Sequence, residues 1–492
     1  MYLKQRYRRI ESIRSDASVV QKRVMHSLIK RAKSTEFGKT HDFDSIQTYE
    51  DWKKAVPITD YDTIKPQITR MMQGESDILW PGSIKWFSKS SGTTSDRSKY
   101  IPVSDDAMYK NNVAASWDTM AMTYHEDPAS QIFQKKSLIM GGAINPWEHN
   151  PDVTVGDVSA ILLHRMPAVG RPFYSPDFET ACLEDWEEKI SRMTEICSRE
   201  DVVMFGGVPT WTIVLFKRIL EYTGADNIQQ VWPNVRYYFH GGVGFEPYVD
   251  QFKAFFPDPD FRYFEVYNAS EGYFAIQDRS NEAGMLLLLD NDIFYEFVSM
   301  EELTNDNPQA VTLDDVELDT HYAMVISTSA GLWRYMIGDT IQFTSREPYR
   351  IKVSGRTKHF INVFGEEVMV GNADKALAET IKLLPAVVKD YTVAPIFMSQ
   401  GSKGRHQWLI EFEKAPDDLS AFELLLDDNL KKINSDYAAK RYKDMALTRL
   451  QVLVAPAGTF HKWLASKGKV GGQNKVPRLF NTRQYVDELL GD

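Results

Sequence analysis

Val20, Val24, Met25, Leu28, Ile29 and Ala32 recur at steps of three and four, the spacing that lays one apolar stripe along a helix. This predicts an amphipathic first helix whose outer Lys and Arg face is solvated surface. Pro57, Pro66 and Pro81 then stand amid mixed charge and predict short helices and loops. From about residue 137 the texture changes. Compact apolar runs end at paired glycines, Gly141-Gly142, Gly206-Gly207 and Gly241-Gly242, with helical patterns over 211–222 and 246–256 between them. Apolar runs that stop at glycine turns and alternate with helices predict the buried strands of an α/β domain. Ligands of open α/β sheets bind beyond the carboxyl ends of the strands, so each glycine pair reads equally as a site or as a tight turn.

Further strands are predicted over 284–289, 293–298, 322–327 and 340–344. A smaller α+β pattern follows: helix 373–384, strands 388–397 and 406–412, helix 419–433, strand 448–454 and helix 459–466. The expected fold class is therefore α/β, with a large N-terminal domain over 1–345 and a small C-terminal α+β domain over 346–492. The length of 492 residues independently calls for more than one core. The helical stretch 106–124 carries Met108, Trp117, Met120 and Met122, an apolar stripe that reads as core or as the wall of a ligand pocket, as does the helix after residues 207–211.

Composition narrows the class. Hydrophobic residues make up 43% of the chain, which excludes a disordered polymer. The formal charge of -11 argues against a nucleic-acid surface or an anionic membrane as partner. Cys182 and Cys197 form no CxxC pair, so neither a disulfide framework nor a cysteine zinc site is expected. His164, His240, His321 and His359 show no metal-ligand spacing, and His240 and His461 stand singly near candidate loops. The basic N-terminus is followed by no apolar signal core, and the longest aliphatic run, 285–289, is far short of the ~20 residues of a membrane span. A soluble, cytoplasmic protein is expected.

The chemistry concentrates in residues 87–99. Ser90, Ser91, Thr93 and Thr94 supply side-chain donors, Gly92 permits close backbone approach, and Lys89, Arg97 and Lys99 supply charge. Those are the requirements of a phosphate-holding loop, although Ser, Thr and Gly also populate ordinary turns. The spacing is not that of a Walker A loop. Three more segments stand out: 264–272 with Tyr267 and Glu271, 332–340 with Arg334 and Asp339, and 354–358 with Arg356. Taken singly, Asp339 also fits a hairpin cap, Glu271 a surface acid and Tyr267 a core ring.

Together, and in this order, these segments resemble the acyl-acid amido synthetases of the auxin-responsive Gretchen Hagen family, within the adenylate-forming superfamily of acyl-CoA synthetases and luciferases. The likeness begins at residues 34–39 and 56–61, runs through Ser90-Ser91-Gly92-Thr93-Thr94 with Lys99, Tyr267 to Gly272, and Arg334-Tyr335 with Gly338-Asp339, and ends at Asn474-Lys475-Val476-Pro477-Arg478. The stretch 354–368 looks like that of bacterial members. The resemblance implies an ATP- and acyl-binding large domain with mixed sheets and a β-rich part, and a mobile small domain turning on a hinge between Gly338 and Arg356. It implies that Ser90, Ser91, Gly92, Thr93, Thr94 and Lys99 hold phosphates, that Gly242, Val243 and Tyr267 flank adenine, and that Asp339 takes both ribose hydroxyls. Arg356 joins the nucleotide set, Glu271 positions Mg2+, and Lys475, Glu271 and Arg334 are the catalytic groups, with Lys475 meeting the acyl carboxylate and the α-phosphate. The implied reaction joins a small carboxylic acid to ATP as acyl-AMP and then to an amine, and an α-amino group with pKa ~7.7–8.0 is already partly neutral near pH 8, so no strong dedicated base is expected. The rivals are a thioester synthetase acting on CoA or a carrier protein, and a nucleotide-binding protein without turnover.

Overall fold

The structure is a computed structural model that describes residues 2–90, 99–168, 170–242, 245, 248–279, 282, 284–305, 307–357, 360–361, 366, 368–397, 404–434, 437–438, 441, 447–468, 476–480 and 482–491. The chain forms two compact units; the first runs to Lys352, and the second takes Val353–Asp492 together with residues 248–255.

The predicted first helix spans Ala17–Ala32 and buries the expected stripe. Gln21 is buried within that stripe and joins the helix to the sheet beneath: its amide donates to the carbonyls of Leu289 (2.6 Å) and Ile293 (2.9 Å) and accepts from Tyr295 N (2.9 Å). A helix over Tyr2–Ser15 precedes it and was not predicted. Ion pairs hold this helix where apolar periodicity is weak, with Arg6 on Asp118 (2.6 Å) and Arg14 on Asp278 (2.5 Å), both carboxylates being buried.

The first unit contains strands β1 (Trp86–Ser90), β2 (Lys99–Pro102), β3 (Lys136–Leu138), β4 (Ile144–Trp147), β5 (Asn150–Gly156), β6 (Tyr174–Ser175), β7 (Val202–Gly207), β8 (Tyr237–His240), β9 (Arg262–Ala269), β10 (Gly272–Ile276), β11 (Met285–Leu287), β12 (Ile293–Ser299), β13 (His321–Thr328), β14 (Tyr335–Arg346) and β15 (Tyr349–Arg356). A four-stranded sheet has the order β2-β1-β5-β4, and an eleven-stranded sheet the order β12-β13-β14-β15-β11-β10-β9-β8-β7-β3-β6. The large sheet changes character at β9. From β6 through β3, β7 and β8 to β9 the pairs are parallel, whereas β9 with β10, β10 with β11, β11 with β15, β14 with β13 and β13 with β12 pair antiparallel. Gly241 has a packing reason, because a Cβ there would lie 2.4 Å from the carbonyl oxygen of Val266 on β9.

The boundary expected at 345 falls inside the large sheet. Residues 350 and 351 on β15 pair with β11 (Arg350 with Leu286, Ile351 with Met285), so the chain leaves the first unit only at Lys352. In the second unit β16 (Phe360–Ile361) pairs with β17 (Val368–Met369), and β18 (Val387–Ile396), β19 (Arg405–Lys414) and β20 (Gln451–Ala455) form a three-stranded sheet. Helices Val370–Leu383 and Leu419–Ile433 supply Leu377, Phe422, Leu426 and Leu430 to a core that includes Tyr391 and Trp408 on β18 and β19. This is the α+β pattern expected. No helix among the described residues is long and apolar enough to cross a membrane.

Candidate active site

The base of the Ser/Thr loop is a strand pair. Ser90 on β1 stands opposite Lys99 on β2, so the intervening segment begins and ends at one point. Ser91, Gly92, Thr93 and Thr94 lie outside the described residues, as does the side chain of Ser90. Lys99 is described: its ammonium lies 5.6 Å from the ring centroid of Tyr61. The Tyr61 hydroxyl in turn accepts from the Tyr100 amide at 2.8 Å. Tyr61 opens the helix Tyr61–Met72, capped by Asp60, whose carboxylate accepts from Thr63 N at 3.0 Å.

Backbone bonds carry this helix start to β14. Thr59 N donates to the Arg334 carbonyl (2.9 Å) and Met336 N donates to the Thr59 carbonyl (2.8 Å), a parallel bridge that aligns Thr59 with Tyr335. Asp60 and Tyr61 are thereby set beside the start of β14.

Two register irregularities deliver the next side chains. Ala269 pairs with Gly272, so Ser270 and Glu271 form a two-residue turn with Glu271 at its tip. Just beyond it Asn268 pairs with Tyr273 but Tyr267 pairs with Ala275, a bulge at Phe274. On β14, Met336 pairs with Val325 but Thr340 pairs with Ala323, so four steps on one strand face two on its neighbour. Gly338 sits in that excess with φ 94°, a left-handed conformation glycine adopts without steric penalty. Bulges re-aim side chains and gather next to active sites. Here they bring Tyr267 and Asp339, 72 residues apart, into contact: the Tyr267 hydroxyl donates to Asp339 Oδ2 at 2.8 Å. Both residues are buried, and the Tyr267 ring packs 4.9 Å from Phe274 inside the main core. The ring is thus core, and the hydroxyl is what Tyr267 gives to the site.

Tyr335, part of the Arg334-Tyr335 motif, is the residue that Thr59 meets across the parallel bridge. It is fully buried, and its hydroxyl has no hydrogen-bond partner among the described residues. Burial first, then the charge of Glu271 and the proximity of Tyr61, Asp60 and Asp339, push the phenol far above its ordinary range, so it stays protonated.

Arg334 is the main correction among the catalytic residues. It was expected among the reacting groups, yet its guanidinium is committed to the interior. Arg334 Nη2 lies 2.9 Å from Glu296 Oε1, Nε donates to both carboxylate oxygens at 3.1 Å, and Nη1 donates to the Val56 carbonyl at 2.8 Å. Glu296 also accepts from the Tyr49 hydroxyl (2.9 Å) and from Trp52 Nε1 (3.2 Å). Arg334 holds φ 41°, so the chain turns sharply where this guanidinium dives inward. Sequence periodicity gave no sign of Glu296, which sits in a fully buried strand of hydrophobic neighbours.

His240 ends β8, buried, and burial brings its pKa down to about 3, so the ring is neutral. Gly242 follows with φ 79°. Val243, the side chain of Arg356 and Lys475 lie outside the described residues. The chain just past Lys475 is firmly tied within the second unit: Thr392 Oγ1 donates to the Pro477 carbonyl (2.6 Å), and Arg478 donates to the Tyr391 carbonyl (2.9 Å) and the Tyr248 hydroxyl (3.1 Å). Of the stripe on 106–124, Met108 and Met122 are buried in separate apolar clusters while Trp117 and Met120 are half-buried, and the segment is split into a π-helix, Ala107–Val113, and an α-helix, Ala114–Glu126. Among the described residues, no group of three His, Cys, Asp or Glu side chains forms a ready-made metal cage.

Comparison with known proteins bears on the whole chain. Models of the GH3 family match residues 6–182 and 143–261 (N-terminal domain), 286–356 (central domain) and 371–484 (C-terminal domain). Indole-3-acetic acid-amido synthetase GH3.3 of Arabidopsis thaliana is 22% identical, with 98% of this chain and 92% of the relative covered. The 4-substituted benzoates-glutamate ligase GH3.12 of Arabidopsis thaliana is also 22% identical, over 98% of this chain and 96% of that one. Among solved structures, the GH3.15 acyl acid amido synthetase superposes with a TM-score of 0.79 at 15% identity, covering 98% of this chain and 95% of that one. The 2-hydroxyisobutyryl-CoA ligase in its postadenylation state, in complex with 2-HIB-AMP, superposes with a TM-score of 0.62 at 12% identity, covering 97% and 92%. These likenesses establish the adenylate-forming fold.

Proposed function

The chain belongs to the GH3 family, and on that premise we propose that it is an ATP-dependent acyl acid amido synthetase, joining a small carboxylic acid to an amine, here an amino acid. The observation that supports this reading is the contact of Tyr267 with Asp339, with Glu271 in the turn of the hairpin that carries Tyr267 and Lys99 over Tyr61 at the base of the Ser/Thr loop.

In the first step a carboxylate oxygen of the acid attacks the α-phosphorus, the bond to pyrophosphate breaks, and acyl-AMP forms. Lys99 and the loop donors bind the phosphates, charge-assisted hydrogen bonds being worth roughly 1.5–3 kcal/mol each. Asp339 holds the ribose, fixed in direction by Tyr267. Magnesium, when bound with the nucleotide, offsets phosphate charge; Glu271 fits it because a hard cation takes one or two carboxylates and fills its shell with phosphate and water oxygens. In the second step the neutral amine attacks the acyl carbon, AMP leaves, and the amine proton passes to solvent. Lys475 is the candidate for steadying the charge of the first step, where removing one such donor typically costs ~10²- to 10³-fold in rate. Acidic charge and the absence of a long apolar helix among the described residues support a cytoplasmic setting with small-molecule partners.

Acid-dependent exchange of labelled pyrophosphate into ATP, across aryl, indole-type and fatty acids, tests the first step. Exchange with one acid class establishes adenylation, and mass spectrometry of products formed with amino acids or with CoA separates an amide from a thioester. Nucleotide binding without exchange for any acid would remove the synthetase reading.

A further inference from the structure

A buried amide joins the segment that follows the Ser/Thr loop to the hairpin that carries Glu271. After β2 the chain enters the π-helix Ala107–Val113, a rare form found frequently at functional sites. Within it Asn112 Nδ2 donates to the Ala107 carbonyl at 3.2 Å, whereas the Asn111 side chain reaches across to the sheet. Asn111 is buried; its Oδ1 accepts from Tyr273 N (2.8 Å), and its Nδ2 donates to the Tyr273 carbonyl (3.0 Å) and to the Asn291 carbonyl (3.1 Å). One side chain thus meets both main-chain groups of Tyr273, as a neighbouring strand would. An amide does this because it carries an acceptor and a donor side by side, which a carboxylate or an aliphatic chain of the same size does not.

The hairpin needs such a brace at this point. Strand β11 pairs with β10 at Ala275 and Ile276, and β8 pairs with β9 as far as Glu265, so the tip bearing Ser270 and Glu271 projects past both neighbours. The ladder between β9 and β10 is itself irregular just behind the tip, between Tyr273 and Ala275. Gly272 permits the close approach, since a Cβ there would lie 3.1 Å from Asn111 Oδ1. The brace is anchored in turn: Asn291, whose carbonyl Asn111 meets, donates through Nδ2 to Asp118 Oδ2 (3.1 Å), and Asp118 pairs with Arg6 (2.6 Å) on the helix Tyr2–Ser15. We propose that Asn111 is a positioning residue for the adenylation step, fixing the Ser270-Glu271 turn so that the Glu271 carboxylate is held toward the magnesium that accompanies the nucleotide. This rests on the ATP reading above and adds to it the group that keeps Glu271 in place.

The test is calorimetric binding of ATP to the full chain, with Mg2+ and again in EDTA, for the wild type, Asn111→Ala, Glu271→Ala and the double variant. Asn111→Ala is expected to bind ATP with Mg2+ about tenfold more weakly, the lower end of one charge-assisted contact, and to bind metal-free ATP as the wild type does. Because Asn111 acts through Glu271, adding Asn111→Ala to Glu271→Ala should cause no further loss. Equal losses with and without Mg2+, losses that add in the double variant, or no loss at all overturn the proposal. Asn112→Ala is the control, its described bond lying within the π-helix: it should leave the response to Mg2+ unchanged, and a fall matching that of Asn111→Ala would mean general loosening of the π-helix and also overturn the proposal. Should thermal unfolding show that Asn111→Ala is not folded, Asn111→Ser, which keeps a polar group there, is put through the same cycle. If the wild type binds no ATP, or if Glu271→Ala keeps the wild-type response to Mg2+, the reading of the site falls and takes this proposal with it. If Glu271→Ala loses that response and Asn111→Ala does not, only the role of Asn111 falls.

Discussion

Arg334 and Asp339 are five positions apart on one segment, and their surroundings are opposite in kind. The Arg334 guanidinium is met by Glu296 and by the Val56 carbonyl, and Glu296 is met in addition by Tyr49 and Trp52. Around Asp339 the protein provides Tyr267 and then a hydroxyl, on Tyr335, that no described residue receives. A charged cluster saturated by its own fold serves stability, whereas beyond Arg334 the Tyr335 hydroxyl is buried with no partner among the described residues. The motif that carries both residues therefore divides at the Gly338 bulge, with architecture on one side and the proposed chemistry on the other.

Breaking the saturated side should give the largest effect. Glu296→Gln leaves the Arg334 charge buried without a countercharge and is expected to destabilise the first unit by about 3–5 kcal/mol, read from urea unfolding. The double variant Glu296→Leu with Arg334→Met should recover most of that loss. A wild-type unfolding midpoint for Glu296→Gln would abolish the contrast.

The ligand side should respond in activity. Asp339→Ala is expected to lower kcat/KM for pyrophosphate exchange about a hundredfold, the worth of two charge-assisted hydrogen bonds at the lower end of their range, while the unfolding midpoint stays near that of the wild type. A large fall in stability instead would place Asp339 with Arg334 on the architectural side.

His240 offers a pH test of a buried group that is neutral and unrelated to either cluster. Its folded pKa of about 3 lies below the ordinary 6.5, so as pH falls the unfolded chain takes up the proton first. The stability is fully present above pH 6.5 and drains away as pH falls toward 3, by up to about 1.4 kcal/mol per pH unit. Urea midpoints of the wild type and His240→Gln, measured at pH 7.5 and 5, should show the wild type losing more on acidification. Parallel acid limbs would contradict this.

The smallest change is Tyr267→Phe, which removes one donor from Asp339 and leaves the ring in the core. KM for ATP should rise about three- to tenfold with kcat little altered. If kcat falls and KM holds, Tyr267 is tied to the reacting atoms and not to orienting the sugar-binding carboxylate.

Much of this was legible in the chain. The strands ended by Gly206-Gly207 and Gly241-Gly242 are where the apolar runs predict them, and helix Leu419–Ile433 matches its periodicity to the residue. The candidate positions Tyr267, Glu271 and Asp339 were marked by residue type beside glycine. The helix Tyr2–Ser15 was not legible, because buried ion pairs to residues more than a hundred positions away fix it. Arg334 was misjudged for a related reason: an arginine in a glycine- and aspartate-bearing motif has the same residue type whether it meets a phosphate or a glutamate.

Local pattern by itself determined the fold class, the strands that end at Gly206-Gly207 and Gly241-Gly242 and the set of residue types proposed for phosphate, sugar and metal. Periodicity and steric freedom are properties of neighbouring residues, so they are written along the chain. Which cation reaches the site and which is neutralised inside, which strand excess aims Asp339 at Tyr267, and which tyrosine keeps an unmatched hydroxyl were decided only by the tertiary structure. Those outcomes depend on partners brought together from 38 to 72 positions apart, and on whether a register shift turns a side chain inward or toward the ligand.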